Sequence, residues 1–267
     1  MESQKICAYC KKENRLTKEH LWPNSLHKRL YNANQQSESY FWLSRLQRVI
    51  PSEPTIKDVC AHCNNVVLSE LDDYICRLFD TYFINICQFN EKIFFEYDYH
   101  FLKRWLLKMS YNSARIHSAH DEKALEVMLP YILGKNNKLG RSVQLFALLT
   151  YPEEVKKQEI DKTITSGETI LVEPTIHRAG HILFRVPNIG QKILRVVHLR
   201  SFSFLMAFWP PTGVKAEQND FESIIISKMN GLKLLHANKK IVTLECCGLS
   251  AWKSIKDARG QFEFNEH

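Results

Sequence analysis

Two Cys-x-x-Cys pairs, Cys7/Cys10 and Cys60/Cys63, bracket the dipeptide Glu19-His20, and the second pair runs straight into Asn64-Asn65. Four thiolates suit a tetrahedral zinc ion, and closing all four positions makes such a site structural. The stretch between the pairs, residues 11–59, exceeds the roughly 15 to 20 residues of a compact zinc ribbon, so the gap holds more than a turn. Within it, an acid beside a histidine supplies a hard oxygen ligand for a divalent cation and a base for water. Metal-assisted phosphodiester cleavage requires both. Glu19 is expected as the ligand and His20 as the base. The Asn64 carbonyl oxygen completes the ligand set without a charge that repels phosphate. Adjacent side chains can turn toward one phosphate at the irregular end of a strand, whereas in mid-strand they point to opposite faces.

The patterning predicts the elements that position these groups. Residues 5–10 read as a zinc knuckle and 15–21 as a short strand ended by Trp22-Pro23. Asn24 opens a short helix through Leu26 and Leu30. A second amphipathic helix is expected over Phe41, Leu43, Leu46 and Val49, broken by Pro51 and Pro54. From Asn64 a long helix follows, since Val67, Leu71, Ile75, Leu78 and Phe79 recur at helical intervals. Residues 99–118 form another helix, apolar at Leu102, Trp105, Leu106 and Met109. Its second face carries Arg104, Lys108, Asn112 and Arg115, read either as a solvated stripe or as a phosphate contact. A third helix is expected over 121–132. After Gly140 strand-like runs dominate, at 143–150, 169–173, 181–186, 193–199, 203–209 and 240–245, with one helix at 221–229. The expected class is α+β: a zinc-bound unit over 1–83, a helical segment over 84–138 packed on it, and a strand-rich α+β domain over 139–267.

Composition narrows the class. A chain of 267 residues, 45% hydrophobic, can bury one large core or two modest ones. Neither a leader-like start nor a run near ~18 apolar residues is present, and the thiols fall in metal-type pairs rather than a disulfide framework. A cytoplasmic, membrane-free protein is expected. The net charge of +7 suggests an anionic partner, and residues 11–48 hold eight Lys/Arg against three acids. Lys18, Lys28 and Arg29, with Arg104 and Lys108, are the candidate nucleic-acid contacts. Cys76, Cys87, Cys246 and Cys247 read as buried free thiols. His62 is expected to face solvent, and His27 either solvent or the site. His117 with His120, and His177 with His181, have spacings that helices can turn into metal sites, though Gly180 and its strand-like neighbours argue against the latter pair.

The segments Cys7-Ala8-Tyr9-Cys10, Glu19-His20-Leu21-Trp22-Pro23 and Val59-Cys60-Ala61-His62-Cys63-Asn64-Asn65, followed by Leu71-Asp72, resemble the HNH endonuclease superfamily. The likeness is to its four-cysteine, zinc-stabilised ββα-metal form, and among those to bacterial proteins that combine E-H-x-x-P with C-x-x-C-N-N. It covers residues 5–83. The resemblance implies a treble-clef-like unit in which Cys7, Cys10, Cys60 and Cys63 hold structural Zn2+. It also implies His20 as general base, Glu19 and Asn64 as ligands of a catalytic Mg2+ or Mn2+, and DNA as substrate, with RNA an open alternative. The family's middle asparagine, which helps orient the base, has no counterpart in Pro51 to Val59, where Thr55 and Asp58 stand instead. Small proteins of this kind resemble bacterial or mobile-element nucleases, including those acting against phage. The C-terminal region would read DNA, sense a signal or mediate self-association into an oligomer. The competing expectation is a zinc-stabilised nucleic-acid or protein binding module that performs no chemistry.

Overall fold

The computed structural model describes residues 5–35, 41–43, 48–51, 53–165, 167–186, 190–210 and 215–256. It is mixed α+β, as expected. The chain begins with a small antiparallel pair, β1 (Lys5–Ile6) and β2 (Glu13–Asn14), which folds the first cysteine pair into a tight loop. Strand β3 (Leu16–His20) follows, then α1 (Asn24–Asn34). Next comes a pair where the sequence suggested a helix: β4 (Phe41–Leu43) and β5 (Arg48–Ile50) are antiparallel strands. Phe41, Trp42, Val49 and Ile50 are aromatic or β-branched and Pro51 follows directly, which suits a short ribbon better than a helix.

Strand β6 (Thr55–Cys60) returns antiparallel to β3, with Leu16 opposite Cys60 and His20 opposite Thr55. A register shift between Thr17 and Lys18 leaves Asp58 as an extra residue on β6. The helical run begins in the second knuckle with π-type turns at Cys63–Leu68, continues as α2 (Ser69–Leu78) and ends in π-type turns at Phe79–Phe83.

Strand β7 (Lys92–Glu96) leads to the long helix α3 (Tyr99–His117), capped by the Asp98 carboxylate, which accepts from the His100 and Phe101 amides at 2.9 Å each. The expected third helix is two short pieces, α4 (Glu122–Glu126) and α5 (Leu129–Ile132), because Pro130 stands near the start of a new helical turn. Thereafter come β8 (Val143–Tyr151), β9 (Glu153–Lys156), α6 (Lys157–Ile160), β10 (Thr169–Val172), β11 (His177–Val186), β12 (Gly190–Leu199), β13 (Phe202–Phe208), α7 (Lys215–Lys228), β14 (Lys233–Leu234), β15 (Ile241–Glu245) and β16 (Leu249–Ser250).

The main sheet has the order β11-β12-β13-β8-β14, all antiparallel, with β16 parallel to β8. Strand β15 pairs with β7, tying the late chain to the start of α3. Both faces of the sheet are covered. Leu145, Ala147 and Leu149 of β8 face the large core shared with α3 and the N-terminal elements, whereas Phe146 and Leu148 join Phe221 and Ile225 of α7 in a second cluster. Burial on both faces explains why this strand reads as a continuous apolar run. Helix α3 is buried on nearly every side, from Leu102 to Ile116. Lys108, Asn112 and Arg115 of its polar stripe are therefore withdrawn from solvent, and Arg104 is half-buried. Among the described residues no helix is long and apolar enough to cross a membrane.

Candidate metal centre and the histidine at the end of the third strand

The four predicted thiols converge: the Sγ atoms of Cys7, Cys10, Cys60 and Cys63 all lie within 4.8 Å of one another, a group able to hold a metal ion. The loop after β1 supplies Cys7 and Cys10, the last residue of β6 supplies Cys60, and the start of the helical run supplies Cys63. Burial opposes the Cys7 thiolate, yet the backbone amides of Cys10, Cys60 and Tyr9 turned on its sulfur bring its pKa down to about 7. Burial and the neighbouring thiol of Cys60 push Cys63 well up. Such a set, one sulfur ready to ionise and another that ionises only against a cation, suits a soft divalent ion such as zinc. Of the other thiols, Cys76, Cys87 and Cys246 are buried and Cys247 is half-buried, all four in free form.

The dipeptide next to the knuckles divides. Lys18 and His20 share one face of β3 while Glu19 turns to the other, where its side chain is 6% exposed. Glu19 Oε1 receives Lys108 Nζ and Asn112 Nδ2, each at 3.1 Å. Lys108 is shared with Asp72, at 2.7 Å, and Asp72 also accepts from Trp105 Nε1 at 3.1 Å. The Asn112 carbonyl oxygen in turn accepts from the Tyr9 hydroxyl at 2.6 Å and from Arg115 at 2.5 Å, and Arg115 pairs with Asp58. The expectation that Glu19 and His20 turn toward one phosphate is thus not met. Pairing with β6 runs to the last residue of β3, so the strand stays regular where an irregular end was needed.

The same network corrects the reading of the basic stripe. Lys108, 1% exposed, is an interior cation held between two carboxylates, not a phosphate contact. Arg104 donates to the Ile132 carbonyl at 2.9 Å and lies over the Phe101 ring. Arg29 is half-exposed and clasps Asp80 at 2.7 and 2.9 Å. Lys28 and Lys18 remain exposed, and Lys18 stands directly opposite Lys57, exposed as well.

His20 keeps an open position. Its side chain is 44% exposed, and its Nδ1 lies 2.9 Å from Glu53 Oε2. Glu53, whose side chain is 8% exposed, is fixed by the Trp22 amide, which donates to Oε1 at 2.5 Å. Burial raises the Glu53 pKa, and the Trp22 amide and His20 work against that rise. Within residues 51–59, where no asparagine stands, it is Glu53 that holds the His20 ring. Thr55 is exposed opposite His20 and Asp58 is engaged by Arg115, so neither does so. The signal was present in the sequence as a carboxylate two residues ahead of the strand.

No family model, curated protein or solved structure matches the chain.

Asn64, in the first helical turn after Cys63, donates its Nδ2 to Thr17 Oγ1 and to the Lys18 carbonyl, both at 3.0 Å. This clamps the helix start to β3 near His20 and leaves the amide oxygen as the end available to a cation. His27 departs from the surface reading: its side chain is 15% exposed and its Nδ1 is 4.0 Å from Glu53 Oε2. Next to it, His177 at the start of β11 packs against Trp22, His27 and Phe41 with ring centroids 5.1, 5.9 and 6.0 Å apart. His181 lies on the same strand, paired opposite Arg195 rather than on a helix with His177.

Proposed function

We propose that the chain is a metal-dependent phosphodiesterase of the HNH type, acting on nucleic acid, with His20 as the general base. The observation that carries this reading is the His20–Glu53 pair: an imidazole with one nitrogen held by a buried carboxylate and the rest of the ring open to solvent. That pairing fixes ring orientation and favours the imidazolium that forms when water gives up its proton. Beside it lie an antiparallel strand pair followed by a helix, and a four-cysteine group able to hold a metal ion.

The expected donors fit a hard divalent ion only in part. The Asn64 amide oxygen would hold Mg2+ or Mn2+, which keeps several waters and takes further ligands from the substrate phosphate. The bound cation would supply charge for the developing negative oxygens. Glu19 is turned away from this face, with Lys108 on its oxygen. Exposed Lys18 and Lys57 would meet the phosphates flanking the cleaved bond.

The burial of Glu19 is also the specific observation that favours the second reading, a zinc-stabilised binding module without chemistry. One experiment separates the two. Plasmid DNA is incubated with the protein and Mg2+ or Mn2+, then with a chelator. Nicking that needs the cation and is lost in His20→Ala supports the nuclease, whereas a gel shift without cleavage supports the module. The same assay with a labelled RNA strand distinguishes the substrates.

A further inference from the structure

His27 is a polar ring in an apolar place. It stands near the start of α1, where its amide donates to the Pro23 carbonyl at 2.9 Å. Its ring lies edge-on to Tyr31, one helical turn on, with centroids 4.6 Å apart, and beside Phe41 and His177 at 5.6 and 5.9 Å. A phenylalanine would supply such packing without burying a polar atom. The imidazole instead leaves its Nε2 buried with no hydrogen-bond partner among the described residues. A buried nitrogen that bonds to nothing needs an explanation at the other side of the ring.

That other side faces the carboxylate of the candidate site. His27 Nδ1 lies 4.0 Å from Glu53 Oε2, the same oxygen that stands 2.9 Å from His20 Nδ1. At this length the contact is one of charge and dipole, longer than a hydrogen bond. Burial, with the charge of His20 adding to it, lowers the His27 pKa, so the ring is neutral at pH 7 and carries one N–H. The surroundings decide where that proton sits. On Nε2 it would be a buried donor without an acceptor, whereas on Nδ1 it points at an anion in a site poor in water.

The Glu53 carboxylate is then approached from three directions, by the Trp22 amide at Oε1 and by His20 and His27 at Oε2. Two of these are set by one corner of the chain, because Trp22 supplies the amide and Pro23 leads directly into the helix that carries His27. An acceptor at this point obliges neutral His20 to keep its proton on Nδ1, which leaves its Nε2 with the lone pair that a base needs.

We propose that His27 is a positioning residue, which through Glu53 holds His20 in the orientation and tautomer that take a proton from water. Its part in catalysis rests on the reading of His20 as the base, but the tautomers themselves do not.

The test is nitrogen NMR of the full, isotope-labelled chain at about pH 8 without added Mg2+ or Mn2+, joined to plasmid-nicking rates with Mg2+. In wild type, His27 and His20 should both carry the proton on Nδ1, the form that a free imidazole side chain disfavours. His27→Phe keeps the packing and removes the dipole. The Nδ1–H share of His20 should fall in it, and kcat should drop by about threefold to tenfold with KM unchanged, the effect of one lost orienting contact. His27→Asn, whose amide nitrogen takes the place of Nδ1, should restore both. His27→Gln, whose amide reaches the place of Nε2, should not. The wild-type tautomers carry the test if the variants fail to fold by circular dichroism. His27 protonated on Nε2 in wild type, or a His20 tautomer unchanged in folded His27→Phe, overturns the proposal. A wild type that shows both tautomers yet nicks no plasmid overturns His20 as the base, and with it the catalytic part of His27.

Discussion

Glu53 Oε2 stands 2.9 Å from His20 Nδ1 although 33 residues separate them in the chain. The contact depends on two features of local sequence. Strand β3 ends at His20 before Trp22-Pro23, and the Trp22 amide, freed from strand pairing, anchors the other oxygen of the same carboxylate. The backbone that ends the strand thus also fixes the group that orients the imidazole. A carboxylate in this position holds the ring as an amide would and adds a charge that favours imidazolium.

If His20 is the base, His20→Ala should lower metal-dependent cleavage by about a hundredfold or more, the usual contribution of a positioned base. Glu53→Gln preserves the shape of the contact and removes its charge, so about a tenfold loss in kcat with little change in KM is expected. Plasmid nicking by the two purified variants, with melting temperatures checked alongside, reads both effects. Wild-type rates in His20→Ala would remove the histidine from the chemistry.

The four converging thiols predict a metal content of about one zinc per chain, measured by elemental analysis of protein purified without chelator. Cys60→Ser should lose most of that zinc and melt lower by on the order of 10 °C, since such a site contributes to folding outright. Stripping zinc from wild type should reproduce the same shift, and readdition should reverse it. A wild-type protein that melts identically with and without zinc would leave the cysteine cluster without its structural role.

The knuckles and the helix that follows them were legible because cysteine spacing and 3.6-residue periodicity are local signals. So was the α+β class. The faces of β3 were not. Whether Glu19 turns with His20 or away from it depends on Lys108 and Asn112 of α3, some ninety residues distant. Likewise, the polar face of α3 looked solvated because nothing local announces that Asp58, Asp72 and Glu19 come to meet it. Glu53 was not legible for a simpler reason: a carboxylate stands where the resemblance implies an amide, and only the fold brings it to His20.

Lys108 is 1% exposed and bound to both Glu19 and Asp72. Replacing it with methionine leaves two buried carboxylates without a cation, which should destabilise the fold by about 3–5 kcal/mol. Urea unfolding reads this directly. Restoring much of the loss with Lys108→Met combined with Asp72→Asn would identify the uncompensated charge, rather than lost packing, as the cause. A single variant as stable as wild type would show the ion pair to be dispensable.

Lys18 and Lys57 face each other directly across the β3–β6 pair, an arrangement of like charges that costs stability on its own. Lys57→Ala should therefore leave the fold unharmed or raise its stability by up to about 0.5 kcal/mol. The same change should weaken nucleic-acid binding and reduce the salt dependence by about one counterion. Filter binding at several salt concentrations measures the slope. An unchanged slope would place the phosphate path elsewhere.

His177 predicts a pH dependence. Burial, with the charge of His27 adding to it, holds its pKa at about 4 against an ordinary value of 6.5. The unfolded chain therefore binds the extra proton first, and between those two values unfolding is favoured as pH falls. The neutral, folded form is fully stabilised above pH 6.5 and loses about 3 kcal/mol by pH 4. Asp72, raised to about 6 by burial, acts in the opposite sense over part of that window, but it is common to wild type and variant and cancels in their difference. His177→Phe keeps an aromatic ring against Trp22 and Phe41 and removes a buried Nε2 that has no partner among the described residues. Its stability should therefore fall less than that of wild type between pH 7 and pH 4, by about 3 kcal/mol in urea unfolding. Parallel losses in the two proteins would mean that His177 is protonated in the folded state, and that its ring is more open to water than its packing indicates.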